Sequence, residues 1–125
     1  MTDMRRDLFV YVSGPMTAKG DALIEENVIA GMRMHLDLLN LGIPNFCPHL
    51  GGAFPTAWTA VSWERWLAFD LAVIDRCTHM LMLPRWDTST GACREKAYAE
   101  ARAMPVLFTL SDLLKAIDVE ERLMP

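Results

Sequence analysis

Ser89-Thr90-Gly91-Ala92-Cys93-Arg94-Glu95 follows the apolar run 79–84 after a short polar stretch, Trp86-Asp87-Thr88. The order reads as a buried strand, a hydroxyl-rich loop and the opening of a helix. A helix N-terminus presents unpaired backbone N–H groups, so Ser89 and Gly91 stand where an anion is readily received. Glu95 lies one turn further on, on the same side of the helix as that mouth. An anion cradle with a carboxylate beside it points to chemistry on a phosphorylated small molecule.

A second carboxylate has a different setting. Trp63, Leu67, Asp70, Ile74 and Cys77 fall on a 4-3-4-3 line, one face of a helix, and Asp70 is its only charged member. A carboxylate on an apolar face is capped, paired or put to use in a site, because burying it alone is costly. An aspartate at the helix edge reaching water is the alternative. Glu95 has a comparable one, since Arg94, Lys96, Glu100 and Arg102 make a solvated helix face plausible. Tyr11, inside an apolar run, reads equally as a core aromatic with its hydroxyl satisfied.

The elements that must position these groups alternate. The run 8–13 suits a buried strand and ends at Gly14-Pro15. Residues 21–41 carry apolar side chains at helical spacing and stop at Gly42. A weaker strand is expected over 43–47, and a loop over 50–60, where Gly51, Gly52 and Pro55 cluster. Ser62 is placed to cap a helix to about Arg76. A strand over 79–84, a helix over 91–103 and a strand over 105–109 follow. Ser111 is placed to cap a last helix through 117, leaving a charged tail, 118–125, mobile or docked on a partner. This β-α repetition predicts one doubly wound, Rossmann/flavodoxin-like α/β domain spanning 1–125 with its core in 7–117. It has a parallel sheet of about four strands in the order 2-1-3-4 and helices on both faces. Ligands of such sheets bind beyond the strand ends at the switch point. Those ends are Ser13-Gly14-Pro15-Met16-Thr17 and 85–91, so two separately chosen segments converge on one crevice.

Composition narrows the function classes. At 125 residues and 22% charged the chain has room for one domain with a real core. A net charge of −4 with no basic cluster beyond Arg5-Arg6 argues against nucleic-acid binding. It is no obstacle to one nucleotide, whose phosphate loop N–H groups can hold. Cys47, Cys77 and Cys93 form no CxxC pair, and His35, His49 and His79 have no ligand-like spacing with them, so free thiols and no metal are expected. No run reaches spanning length and no signal-peptide core is visible, so a cytoplasmic protein without membrane contact is expected.

The ordered set Tyr11-Val12-Ser13-Gly14-Pro15-Met16, then Asp70-Leu71-Ala72-Val73-Ile74, then 86–95 resembles the nucleoside 2-deoxyribosyltransferase superfamily, over about residues 7 to 109. It is most similar to small members with a "SGPM" strand end, and the superfamily includes nucleoside 5′-monophosphate N-glycosidases. The resemblance implies that Glu95 attacks C1′ of the sugar, that the Tyr11 hydroxyl orients it, and that Asp70 protonates the departing base. It implies that Ser89 contacts a 5′-phosphate, where the transferases carry an aspartate. The family's hydrolases have Ser and then a basic residue after the first-strand Gly; Pro15 and Thr17 stand there here. Phosphate contact then falls to Ser89, Thr17 and backbone N–H groups, with Arg85 or Lys19 as helpers. Ser13, Gly14, Pro15, Met16 and Gly91 line the same mouth, and His49 is placed to contact the base. Family members borrow site residues across subunits, so a homodimer or higher oligomer is implied, and no cofactor.

Residue chemistry agrees with such a reaction. Splitting an N-glycosidic bond builds oxocarbenium character that a carboxylate captures, while a second carboxyl, held protonated by an apolar setting, supplies the base with a proton. The resulting expectation is an N-glycosidase of a (deoxy)nucleoside 5′-monophosphate acting through Glu95. Base exchange by a deoxyribosyltransferase and a non-catalytic nucleotide sensor on the same scaffold stay open.

Overall fold

In a computed structural model, residues 3–15, 21–49 and 60–124 are described, with backbone alone over 21–24. The elements are β1 (Val10–Ser13), α1 (Asp21–Asn40), β2 (Asn45–Phe46), α2 (Trp63–Ile74), β3 (His79–Met82), a 3-10 turn (Trp86–Thr88), α3 (Thr90–Ala101), β4 (Val106–Leu107) and α4 (Leu110–Leu123). Met16, Thr17 and Lys19, and all but Ala60 of the loop expected over 50–60, lie outside the described residues.

The four strands pair in parallel in the order β2-β1-β3-β4, the order expected. Strands buried on both faces carry an apolar side chain at nearly every position, and β1 and β3 are buried throughout. Alternation then sorts the side chains between the two faces. Val10, Val12, Leu81 and Leu83 pack with Leu38 of α1 and with Leu113 and Ile117 of α4. Tyr11, Met80 and Met82 point the other way and pack with Ile74 of α2 and with Ala92 and Ala99 of α3. Helices therefore cover both faces, and the polar side chains of β1, Tyr11 and Ser13, share the face covered by α2 and α3.

Local chemistry sets the boundaries. The α1 helix ends in a two-bond cap: Gly42 N–H donates to Leu39 O at 2.9 Å and Ile43 N–H to Leu38 O at 2.9 Å. Gly42 itself sits at φ +73°, and a Cβ there would come 2.6 Å from the Asp3 carbonyl. Ser62 caps α2 by accepting from Arg65 N–H at 3.2 Å.

The strands expected over 43–47, 79–84 and 105–109 are shorter, at 45–46, 79–82 and 106–107, and both ends of the last helix differ from expectation. The last helix begins at Leu110 and is capped not by Ser111 but by Thr109, whose hydroxyl oxygen accepts from Asp112 N–H at 3.0 Å. It also runs on to Leu123, so the charged stretch expected to be a tail is a helix end. Tertiary pairs hold it: Glu120 meets the buried His79 ring at 2.9 Å, and Glu121 pairs with Arg5. No periodicity within 118–123 could have signalled partners lying some 40 and 116 positions away in the chain.

Replacing Gly42 with Ala tests the α1 cap. A non-glycine residue in the left-handed region costs about 1–2 kcal/mol, and the Asp3 contact adds to it. The unfolding free energy should fall by that amount, seen as a lower urea midpoint with an unchanged denaturant slope; an unchanged midpoint would mean the cap does not require glycine.

Candidate active site

Three elements bring their carboxylates and donors together at the C-terminal end of the β1–β3 pair. The inward face of α3 is Ala92, Glu95 and Ala99. The two alanines let the helix lie close on the sheet, and Glu95 between them is only 7% exposed. A buried carboxylate needs donors. Tyr11 supplies one, its hydroxyl donating to Glu95 Oε2 at 2.6 Å, and Ser13 the other, its hydroxyl donating to Oε1 at 2.8 Å. These two are adjacent on one face of β1, so a single strand serves both carboxylate oxygens.

Asp70 completes the group from α2. It is half-buried on the helix face whose Ile74 is in the core, and its carboxyl interacts with that of Glu95. Burial, and then the negative charge of Glu95, push Asp70 up from 3.8 to about 7. Burial also raises Glu95, against hydrogen bonds from Tyr11, Ser13 and Asp70 that favour its charged form. Two carboxyl groups this close share a proton across the neutral range. The hydroxyl donors act on Glu95, so they leave the ionised form there and the proton on Asp70. Desolvation and the neighbouring carboxylates push the Tyr11 hydroxyl far up, so it remains a neutral donor.

The aromatic side chains beside this group form a chain. Phe46 lies 5.7 Å from the Tyr11 ring and Phe69 5.8 Å from Phe46, centroid to centroid. Phe69, next to Asp70, is 48% exposed. Above them the Arg94 guanidinium stacks on Trp63 at 5.3 Å, joining α3 to the start of α2.

The remaining expected site residues fall into distinct places. Gly14 and Pro15 are buried just beyond Ser13. A Cβ on Gly14 would come 2.7 Å from that of Leu83, so glycine there permits the close approach of the β1 and β3 ends. Ser89 is the N-cap of α3, its hydroxyl oxygen accepting from Ala92 N–H at 3.2 Å. The same group thus starts the helix that carries Glu95. A Cβ on Gly91 would meet only Ser89 Oγ at 3.9 Å, so packing does not require glycine there. Arg85 holds a left-handed backbone (φ 65°) after β3, and its guanidinium donates to Asn27 of α1 at 2.7 Å.

Two residues have other places than the sequence suggested. Ser13, expected to line the substrate mouth, is fully buried and holds Glu95. Its position two residues after Tyr11, on the same strand face, was the available signal. His49, expected to contact a base, is 1% exposed with both ring nitrogens engaged inside the protein, on the Pro15 carbonyl and the Cys47 sulfur. A loop-rim histidine and an interior one are alike in sequence, since neither shows its partners. Sequence reading also missed Asn27, a buried polar residue at a helical position that it had no cause to single out.

Among the described residues no group of three or more His, Cys, Asp or Glu side chains is arranged to hold a metal ion. No described helix is long and apolar enough to cross a membrane.

The carboxylate pair has a signature in stability. Asp70 binds its proton more tightly in the folded chain, so its contribution is fully present below about pH 4 and is lost as the pH rises through about 7. Asp70→Asn should flatten that decline and be the more stable protein at pH 8, by about 1 kcal/mol given the screening of a partly exposed group. Urea midpoints from pH 4 to 8 check this; parallel curves for the two proteins would contradict it.

Comparison with known families finds a model of a domain of unknown function, DUF4406, matching residues 8–108, which include β1, α2, β3 and α3. No curated protein matches the chain.

Proposed function

We propose that this chain, which belongs to the DUF4406 family, is an N-glycosidase acting on a (deoxy)nucleoside 5′-monophosphate, with Glu95 as nucleophile and Asp70 as general acid. The observation that carries the reading is the buried Glu95 carboxylate held by Tyr11 and Ser13, with a second carboxyl, Asp70, interacting with it. A purely structural glutamate would be satisfied by the two hydroxyls alone. Adding Asp70 at the same place burdens the fold with a second buried carboxyl group, a cost that sites bear for chemistry. The resemblance of the "SGPM" strand end and the 86–95 turn to the deoxyribosyltransferase superfamily supports the same assignment.

In this mechanism one Glu95 oxygen attacks C1′ as the C1′–N bond breaks, and Asp70 gives its proton to the departing base nitrogen. A glycosyl ester on Glu95 results. Water then attacks C1′, the now ionised Asp70 takes its proton, and the C1′–Oε bond breaks to free sugar phosphate and Glu95. The aromatic surface of Phe46 and Phe69 flanks the side from which the base would leave. The N-terminus of α3 with Ser89 offers N–H and hydroxyl groups to the phosphate. Assembly into a homo-oligomer belongs to the same reading, and half-exposed Trp63 and Phe69 offer apolar area for it.

Purified protein incubated with ribo- and deoxynucleoside 5′-monophosphates should release free base from one class, detected by chromatography. Glu95→Gln should abolish release, and Asp70→Asn should lower it by about 10²–10⁴-fold. Because Asp70 must be protonated, kcat/KM should fall as the pH rises past about 7, and that basic limb should vanish in Asp70→Asn. Tight binding of a nucleotide without base release would favour a sensor, and new nucleotide formed from an added free base would favour a transferase.

A further inference from the structure

His49 occupies a socket made by three separate segments. Its ring lies against Gly31 of α1, where a Cβ would come 2.5 Å from His49 Cγ and 2.6 Å from its Cβ. Its Nε2 lies 2.9 Å from the Pro15 carbonyl, two residues beyond Ser13, and its Nδ1 lies 3.5 Å from Cys47 Sγ. A carbonyl only accepts, so Nε2 carries the proton and Nδ1 is left to accept from the thiol. Burial lowers the pKa of His49, which keeps the ring neutral and this tautomer fixed. The one side chain thus ties the exit of β1 to α1 and to the segment after β2.

We propose that His49 is a positioning residue for the substrate mouth, clasping the Pro15 carbonyl against the Gly31 notch so that the Ser13-Gly14-Pro15 strand end keeps the place from which Ser13 holds Glu95. The proposal rests on the N-glycosidase reading for its kinetic consequence, though not for its structural one. Gly31 is part of the device: glycine in a helix interior is about 1 kcal/mol worse than alanine, and the space it leaves is filled by the imidazole. Glutamine at 49 could still offer an N–H to the Pro15 carbonyl, whereas leucine could not.

The test uses the full chain as wild type, His49→Leu, His49→Gln and Gly31→Ala. Base release from the preferred nucleotide and amide exchange at Ser13 and Gly14 are measured on each. His49→Leu and Gly31→Ala should lower kcat about tenfold or more, as misplacement of a group that holds the nucleophile does, with KM changed less than threefold. His49→Gln should restore kcat to within threefold. Exchange at Ser13 and Gly14 should quicken in the first two variants and not in the third. A merely space-filling His49 would show equal losses in the leucine and glutamine variants, and that result overturns the proposal, as does unchanged exchange in His49→Leu. Should the wild type release no base from any nucleotide, the glycosidase reading fails while amide exchange still decides the clasp. Gly31→Ala keeps the test open if a leucine at 49 prevents folding, because alanine by itself favours the helix.

Discussion

A carboxylate set inside an α/β layer needs hydrogen-bond donors, and the rest of this site is arranged around that need. Glu95 is buried because α3 presents Ala92 and Ala99 on either side of it and so lies close on the sheet. Bulky residues there would lift the helix and let water reach the carboxylate. The same closeness puts both oxygens within reach of β1, where Tyr11 and Ser13 stand two residues apart and point to one face. The donors in turn decide the electrostatics: they favour the charged form of Glu95 and leave the shared proton to Asp70.

That arrangement explains why the sheet is built as it is around the crevice. Glycine at 14 allows β1 and β3 to converge beside Leu83, which brings the strand end carrying Ser13 beside the loop leading to α3. Ser89 starts α3, its hydroxyl capping the helix that carries Glu95. The α2 helix is joined to α3 by Trp63 under Arg94 and by Asp75, which accepts from Tyr98 and pairs with Arg102. These contacts fix the distance between the two carboxyl-bearing helices. A site whose proton balance depends on that distance gains from having its helices braced at both ends.

Much of the fold was legible because it is written in local periodicity. The buried runs at 8–13 and 79–84, the helical spacing over 21–41 and the cap at Gly42 each depend on neighbours within a few residues. Strand order followed from the β-α alternation and the short connections. The end of α4 was not legible, since His79 and Arg5 hold it from far along the chain. Within the site, Glu95, Asp70 and Tyr11 stood out as polar groups in apolar settings, and the structure brings all three together. Ser13 and His49 did not declare their roles, because a serine at a strand end and a histidine near a loop suit a ligand and an interior partner equally well.

The sequence by itself determined which residues face inward, since the two-residue and 3.6-residue periods fix the face on which each side chain lies. It therefore determined the layer architecture and the three elements that carry the site. Only the tertiary structure decided who meets whom across the layers: that Ser13 joins Tyr11 on Glu95, that Asp70 shares its proton, and that His49 turns inward to Pro15. Those pairings depend on how closely α3 and α1 approach the sheet, which is set by Ala92, Ala99 and Gly31 acting at long range in the chain. A burial pattern names the face a group turns to, and packing distance alone names its partner.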